Sequence, residues 1–149
     1  MNLSPEHLTF LEKTHSASMI TLRRDGSAQA VRVGIALVDG KIWSSGTRAR
    51  IRTRHLRRDP RSTLFVFDSG FNFLTLESTV TILEGPDVPE QSLRLFQIMQ
   101  AGSQPAPAPG SVMWFGQEMT PTDFKAAMVA GQRLIYEFHV HRAYGPFMG

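Results

Sequence analysis

The sequence predicts an α+β protein that is mainly β: six or seven largely antiparallel strands with short peripheral helices, whose simplest closure is a small barrel. Three observations predict it. Two Asp-Gly pairs, Asp25-Gly26 and Asp39-Gly40, separate strand-like runs at hairpin spacing early in the chain. The middle of the chain is rich in Phe, Thr, Val and Ile, which suit a pleated surface. The helical patterns are short and most have a recognisable start.

Ser4-Pro5 is an N-cap serine followed by proline at the first helical position, and it opens a helix to about Lys13 with Leu8 and Leu11 inward. A first strand runs from Ala17 to Leu22, a longer one from Gln29 to Val38 and a third from Lys41 to Ser45. Thr63 to Phe67 reads as a buried strand, and Phe71 to Leu83 as one long strand or two with a bend. Pro89 to Ala101 is helical, with Leu93, Phe96 and either Met99 or Gln100 inward, and Pro121 to Ala130 is a second late helix after the N-cap Thr120. Between them, residues 101–110 form a Pro/Gly/Ala segment too poor in large apolar groups to pack, read as a mobile loop. Arg133 to Val140 is the last strand.

Seven arginines fall within residues 48–61. As a strand, this run would line Arg48, Arg50, Arg52 and Arg54 along one face, four like charges repelling one another. As a helix it puts Ile51, His55 and Leu56 on an inward stripe and Arg50, Arg54, Arg57 and Arg61 on another, with Thr47 as N-cap and Asp59-Pro60 as the stop. The helix is the preferred reading. A strand feeding through Ser, Gly and Thr into such a helix suits a phosphorylated ligand, because helix-start N–H groups point outward and guanidinium forks donate in pairs to phosphate oxygens. The alternative is a solvated basic face.

The 149 residues, 42% hydrophobic and 19% charged, suit one domain spanning residues 1–149. A net charge of only +3 makes the basic run a local feature, which favours an acidic small molecule over nucleic acid. The absence of cysteine removes disulfides, thiol nucleophiles and cysteine-held metals. No apolar run reaches a membrane span and no signal-peptide pattern opens the chain, so the expected location is the cytoplasm, with no membrane partner. His139-Val-His141 shares a strand face but lacks a third ligand at a recognised spacing, so no metal is expected. Trp114-Phe115 either covers a planar ring or anchors the preceding loop, the latter preferred. Dinucleotide, P-loop and nucleophile-elbow fingerprints are missing.

The stretches Ile20-Thr-Leu-Arg-Arg-Asp-Gly-Ser-Ala-Gln29, Val38-Asp-Gly-Lys-Ile-Trp43 and Arg50-Ile-Arg-Thr-Arg-His-Leu-Arg-Arg-Asp-Pro-Arg61 resemble the pyridoxamine 5'-phosphate oxidase-like flavin and deazaflavin oxidoreductases. Phe124-Lys-Ala-Ala-Met-Val-Ala-Gly-Gln-Arg133 and Arg142-Ala-Tyr-Gly145 resemble that family's closing helix and strand. The resemblance implies an FMN-binding split β-barrel, a homodimer with cofactor at the subunit interface, and the branch that uses the deazaflavin coenzyme F420, with FMN as the alternative.

It further implies that Arg50 and Arg52 bind the cofactor phosphate, that Ser45, Gly46 and Thr47 pass along the cofactor ring, and that Gln29 adds a polar contact. Four departures stand out. Arg52 stands where the family often has lysine, Gly46 replaces a commoner threonine, His55 occupies the usual asparagine position, and Arg32 is an unexpected charge within reach of the site or of solvent. No catalytic side chain is assigned. The implied activity is hydride transfer from reduced F420 to an unsaturated small molecule. The alternatives are an FMN-dependent oxidoreductase of the pyridoxamine-phosphate-oxidase type and a non-catalytic flavin- or haem-binding protein.

Overall fold

Alternation of apolar and polar residues builds most of the strands, and the computed structural model describes residues 3–146. In β1 (Ser16–Leu22) Ala17, Met19 and Thr21 are buried, and in β5 (Arg61–Phe67) Ser62, Leu64 and Val66 are. The remaining strands are β2 (Ala28–Gly34), β3 (Ala36–Val38), β4 (Lys41–Thr47), β6 (Phe73–Leu83), the short β7 (Val112–Trp114) and β8 (Gln117–Met119), and β9 (Arg133–Tyr144). Seven form one antiparallel sheet in the order β2-β1-β5-β6-β9-β4-β3, while β7 and β8 make a separate hairpin. Leu134, Tyr136, Phe138 and Val140 of β9 meet Met19, Leu64, Leu74 and Leu76 in the interior.

The two ends of that sheet order, β2 and β3, are consecutive in the chain. The single strand expected from Gln29 to Val38 is cut at Ile35. Its first part pairs with β1 and its second with β4, so one bent segment brings the two edges of the curled sheet together. The break has a local cause. The N–H of Ile35 donates to the carbonyl of His15 at 3.0 Å, and the Ser44 hydroxyl donates to the Gly34 carbonyl at 2.7 Å, which takes both groups out of a regular ladder. Phe73–Leu83 is one strand whose register against β9 shifts between Glu77 and Ser78, the bend anticipated within residues 71–83.

Among the described residues four helices surround the barrel. In α1 (Pro5–Lys13) the Ser4 side chain accepts from the His7 N–H, and His7 accepts in return from the Ser4 N–H, a capping box in which imidazole replaces the usual carboxylate or amide. Leu11 is buried and Leu8 half-buried. The arginine run is helical, as preferred, but α2 spans Ile51–Arg58 and its N-cap is Arg50, not Thr47. A turn at Arg48-Ala49 intervenes. The later start rotates the inward face: Thr53, His55 and Leu56 are buried, whereas Ile51 is 56% exposed and does not join the inward stripe.

Helix α3 (Val88–Met99) works on two fronts. Leu95, Ile98 and Met99 pack on Ala36, Val38, Trp43 and Ile135 outside the barrel, and Leu93 and Phe96 pack with Phe124 and Met128 of α4 (Pro121–Ala130). Thr120 caps α4 as expected, accepting from the Asp123 N–H at 3.2 Å. The β7–β8 hairpin, unforeseen in the sequence, closes this outer layer through Val112 and Trp114. No described helix is long and apolar enough to cross a membrane.

Candidate cofactor site

The junction of β4 with α2 is held by one buried tyrosine. Tyr136 projects from β9 into the barrel, and its hydroxyl lies 2.5 Å from Oγ1 of Thr53 in α2. Thr53 Oγ1 itself donates to the Thr47 carbonyl at 2.7 Å, so its single proton is committed and the Tyr136 O–H is the donor in the first bond. This relay ties the first turn of α2 to the end of β4. It also explains Gly46. A Cβ there would collide with the tyrosine hydroxyl and ring, so Tyr136 fills the volume a threonine side chain would need.

Beside this anchor, a cleft of about 320 Å³ lies between β2 and the start of α2, lined by Gln29, Val31, Ala49, Arg50, Ile51 and Arg52. Larger concavities exist elsewhere, but this one collects polar atoms that are buried without a partner. Gln29 Oε1 and Arg52 Nε both have none. The Arg52 guanidinium donates through Nη2 to the Ser45 carbonyl at 3.4 Å and lies 5.6 Å from the Tyr136 ring centre. Burial lowers its pKa from the ordinary arginine value, nearby Tyr136 opposes that shift, and Arg50 adds to it.

A second arginine reaches Ser45: Arg133, whose Nη2 donates to the serine hydroxyl at 2.7 Å. The Arg133 guanidinium carbon sits 5.0 Å from the Trp114 ring centre, and its Nε is buried without a partner. Its pKa is likewise lowered, by burial first and then by Arg50 and Arg52. Among the described residues no carboxylate forms an ion pair with Arg50, Arg52 or Arg133. Three other arginines of this run are engaged elsewhere, while Arg48 and Arg54 are exposed. Arg57 makes a two-pronged pair with Glu84, Arg61 pairs with Asp59 and holds that carboxyl down at about 2, and Arg58 donates to the Leu22 carbonyl. Acids thus neutralise the far end of α2 and leave its start uncompensated.

Of the residues singled out in the sequence, Gln29, Arg50 and Arg52 line one cleft, and Ser45 joins them through its carbonyl. Gly46 faces Tyr136 instead, and Thr47 contributes its carbonyl to anchoring α2. Arg32 stays outside the cleft, exposed and 5.9 Å from the Phe67 ring centre. His139 and His141 are exposed on one face of β9, bonded to Thr81 and Thr79, and the described residues contain no cluster of three metal-ligating side chains. Trp114 packs edge-on against Phe96 and Phe124 and so anchors its hairpin, while Phe115 is exposed. His55 is buried with Nδ1 2.9 Å from the Thr21 hydroxyl, a contact that fastens α2 to β1. Sequence reading missed Thr53, Tyr136 and Arg133. The first is a threonine among arginines, and the other two reach the site only because β9 pairs with β4, setting Arg133 opposite Thr47.

A family model for pyridoxamine 5'-phosphate oxidase matches residues 3–144, and the chain belongs to that family. Membership makes it a member of an oxidoreductase superfamily that binds flavin-type cofactors. No curated protein matches the chain. Among solved structures it is similar to a conserved hypothetical protein from Mycobacterium tuberculosis, with 18% identity and a TM-score of 0.70 over 99% of this chain and 91% of the other. It is similar also to an F420 reductase, with 18% identity and a TM-score of 0.68 over 95% of this chain and 98% of the other. A heme binding protein from Mycobacterium smegmatis matches at 14% identity and a TM-score of 0.61, over 98% of this chain and 55% of the other. At such identities these likenesses establish the split-barrel fold.

Proposed function

We propose that the chain is an oxidoreductase that holds coenzyme F420 by its phosphate in the cleft between β2 and α2 and delivers hydride to an unsaturated small molecule. The reading rests on the uncompensated guanidiniums there: Arg50 and Arg52 without a carboxylate, and Arg52 Nε and Gln29 Oε1 buried without partners. Guanidinium donors without acceptors, in a place half shielded from water, fit a phosphate, whereas Gln29 Oε1 is an acceptor suited to a donor group elsewhere on the ligand. When bound, the deazaflavin supplies the hydride; the residues supply position and charge. In this reading Arg50 and Arg52 bind the phosphate, Ser45 and Thr47 line the ring, and Gln29 contributes an amide contact. Tyr136 and Thr53 keep the start of α2 in place so that the arginines do not drift. The cleft is open on one side, where Ile51 is exposed, and a second copy of the chain covers it in a homodimer.

An FMN-dependent oxidoreductase is the second reading, favoured by the family match itself. Dissociation constants for F420 and FMN, measured by fluorescence quenching at low and moderate salt, decide between them. F420 carries an acidic tail that feels the exposed Arg48 and Arg54 at long range, so its affinity falls more steeply with ionic strength than that of FMN; screening is strong beyond about 10 Å at 0.1 M salt. Arg50→Ala and Arg52→Ala each weaken binding by about 1–3 kcal/mol. Tighter binding of FMN at both salt concentrations transfers the assignment to the FMN enzyme. Absence of binding by either removes the oxidoreductase reading. Turnover with reduced cofactor and a substrate panel then separates an enzyme from a flavin- or haem-binding carrier.

A further inference from the structure

We infer that Arg133 is a third guanidinium of this anion site, a cofactor-binding residue contributed by the last strand beside Ser45. The inference rests on the cofactor reading above and deepens it. Four observations carry it. The side chain is half-buried, so its charge is not dispersed in bulk water. No carboxylate among the described residues pairs with it, in contrast to Arg57, Arg61, Arg94 and Lys125, each of which has an acidic partner. Its Nε is buried with nothing to donate to, the condition also met by Arg52. Finally, Arg52 and Arg133 grip the same residue, one at the Ser45 carbonyl and the other at the Ser45 hydroxyl, so the two forks are held at one point of β4.

A purely structural account has difficulty with this arrangement. Two half-buried cations beside a third, with no counter-charge, repel one another and oppose folding; burial and the like charges of Arg50 and Arg52 weigh on the protonated Arg133. The hydrogen bond to Ser45 and the face of Trp114 orient the guanidinium but do not neutralise it. A phosphorylated, anionic ligand does. Trp114 acts here as a support: packed edge-on against Phe96 and Phe124, it gives the arginine a fixed wall to lie on and so limits the freedom lost on binding.

The test uses the full chain with Arg133→Met and Arg133→Gln, the first keeping apolar contact with Trp114 and the second keeping a donor for Ser45. Dissociation constants for FMN and F420 are measured at two salt concentrations, alongside the thermal midpoint without cofactor. The expected result is at least tenfold weaker binding of the cofactor that the wild-type chain prefers, and a smaller loss of affinity on raising salt. The cofactor-free midpoint is expected to be unchanged or higher, because removing an uncompensated cation relieves repulsion. Where the methionine variant does not fold, the glutamine variant decides. A lower midpoint with unchanged affinity overturns the inference and makes Arg133 structural. Arg50→Ala and Arg52→Ala, run in parallel, keep the two readings separate. If they weaken binding and the Arg133 variants do not, only this inference falls; if none of the four does, the cofactor site lies elsewhere and both fall.

Discussion

Gly46→Ala should damage the fold and the site together, although it adds only one methyl group. The new Cβ meets the hydroxyl, Cε2 and Cζ of Tyr136, and that ring is fully buried against β4. Overpacking of this kind costs about 1–3 kcal/mol. If the tyrosine yields, its bond to Thr53 is lost as well, about 1 kcal/mol more, because the threonine proton is already given to the Thr47 carbonyl and the hydroxyls are left mismatched. The sum is about 2–4 kcal/mol. For a domain of this size that lowers the thermal midpoint by roughly 6–12 °C. Differential scanning calorimetry on the cofactor-free chain measures it. The cause is checked with Tyr136→Leu, which removes the obstructing ring: the double variant Gly46→Ala/Tyr136→Leu should be more stable than the sum of the single effects predicts, with a coupling of about 1 kcal/mol or more. A midpoint within about 2 °C of wild type for Gly46→Ala alone, or strictly additive effects in the double variant, refutes the account of why glycine stands there.

Two further outcomes follow from other parts of the fold. His55 is buried, and burial together with Arg58 and Arg23 lowers its pKa below the ordinary imidazole value of 6.5. The unfolded chain therefore takes up this proton first, so stability is full above about pH 6.5 and falls as pH drops from there through the folded-state value. Denaturant titrations between pH 8 and pH 5 should show the decline, and His55→Asn should flatten it; an equal slope in both proteins assigns the effect elsewhere. The proposed homodimer would cover apolar side chains that are exposed in the single chain, among them Ile51 at the lip of the cleft and Phe65 and Tyr144 on the sheet. Light scattering should accordingly give a mass about twice the 16.7 kDa of the chain, and a monomer at micromolar concentration removes the interface from the proposed site.

Much of this protein is written locally, and that part the sequence determined by itself. The caps at Ser4 and Thr120, the Asp-Gly turns, the strand runs of β1 and β5 and the stop at Asp59-Pro60 each depend on a few neighbouring residues, so their physical signal lies within a short window, although the structure exposes Phe65 in the β5 run that reads as buried. The basic helix was legible for the same reason, and the family resemblance singled out Gln29, Arg50 and Arg52, which the fold brings to one cleft. Tertiary structure decided what depends on pairing between distant segments. The break at Ile35 follows from bonds to His15 and Ser44, and the true start of α2 from the grip of Tyr136 and Thr53 on Thr47; neither partner set is visible in local pattern. The fate of each arginine was decided in the same way. Seven similar side chains in one run are distinguished only by what the fold brings to them: Glu84 reaches Arg57, while Tyr136, Ser45 and a third cation from β9 surround Arg52. Charge is a property of the residue, but whether that charge is neutralised or left to bind a ligand is a property of the packing.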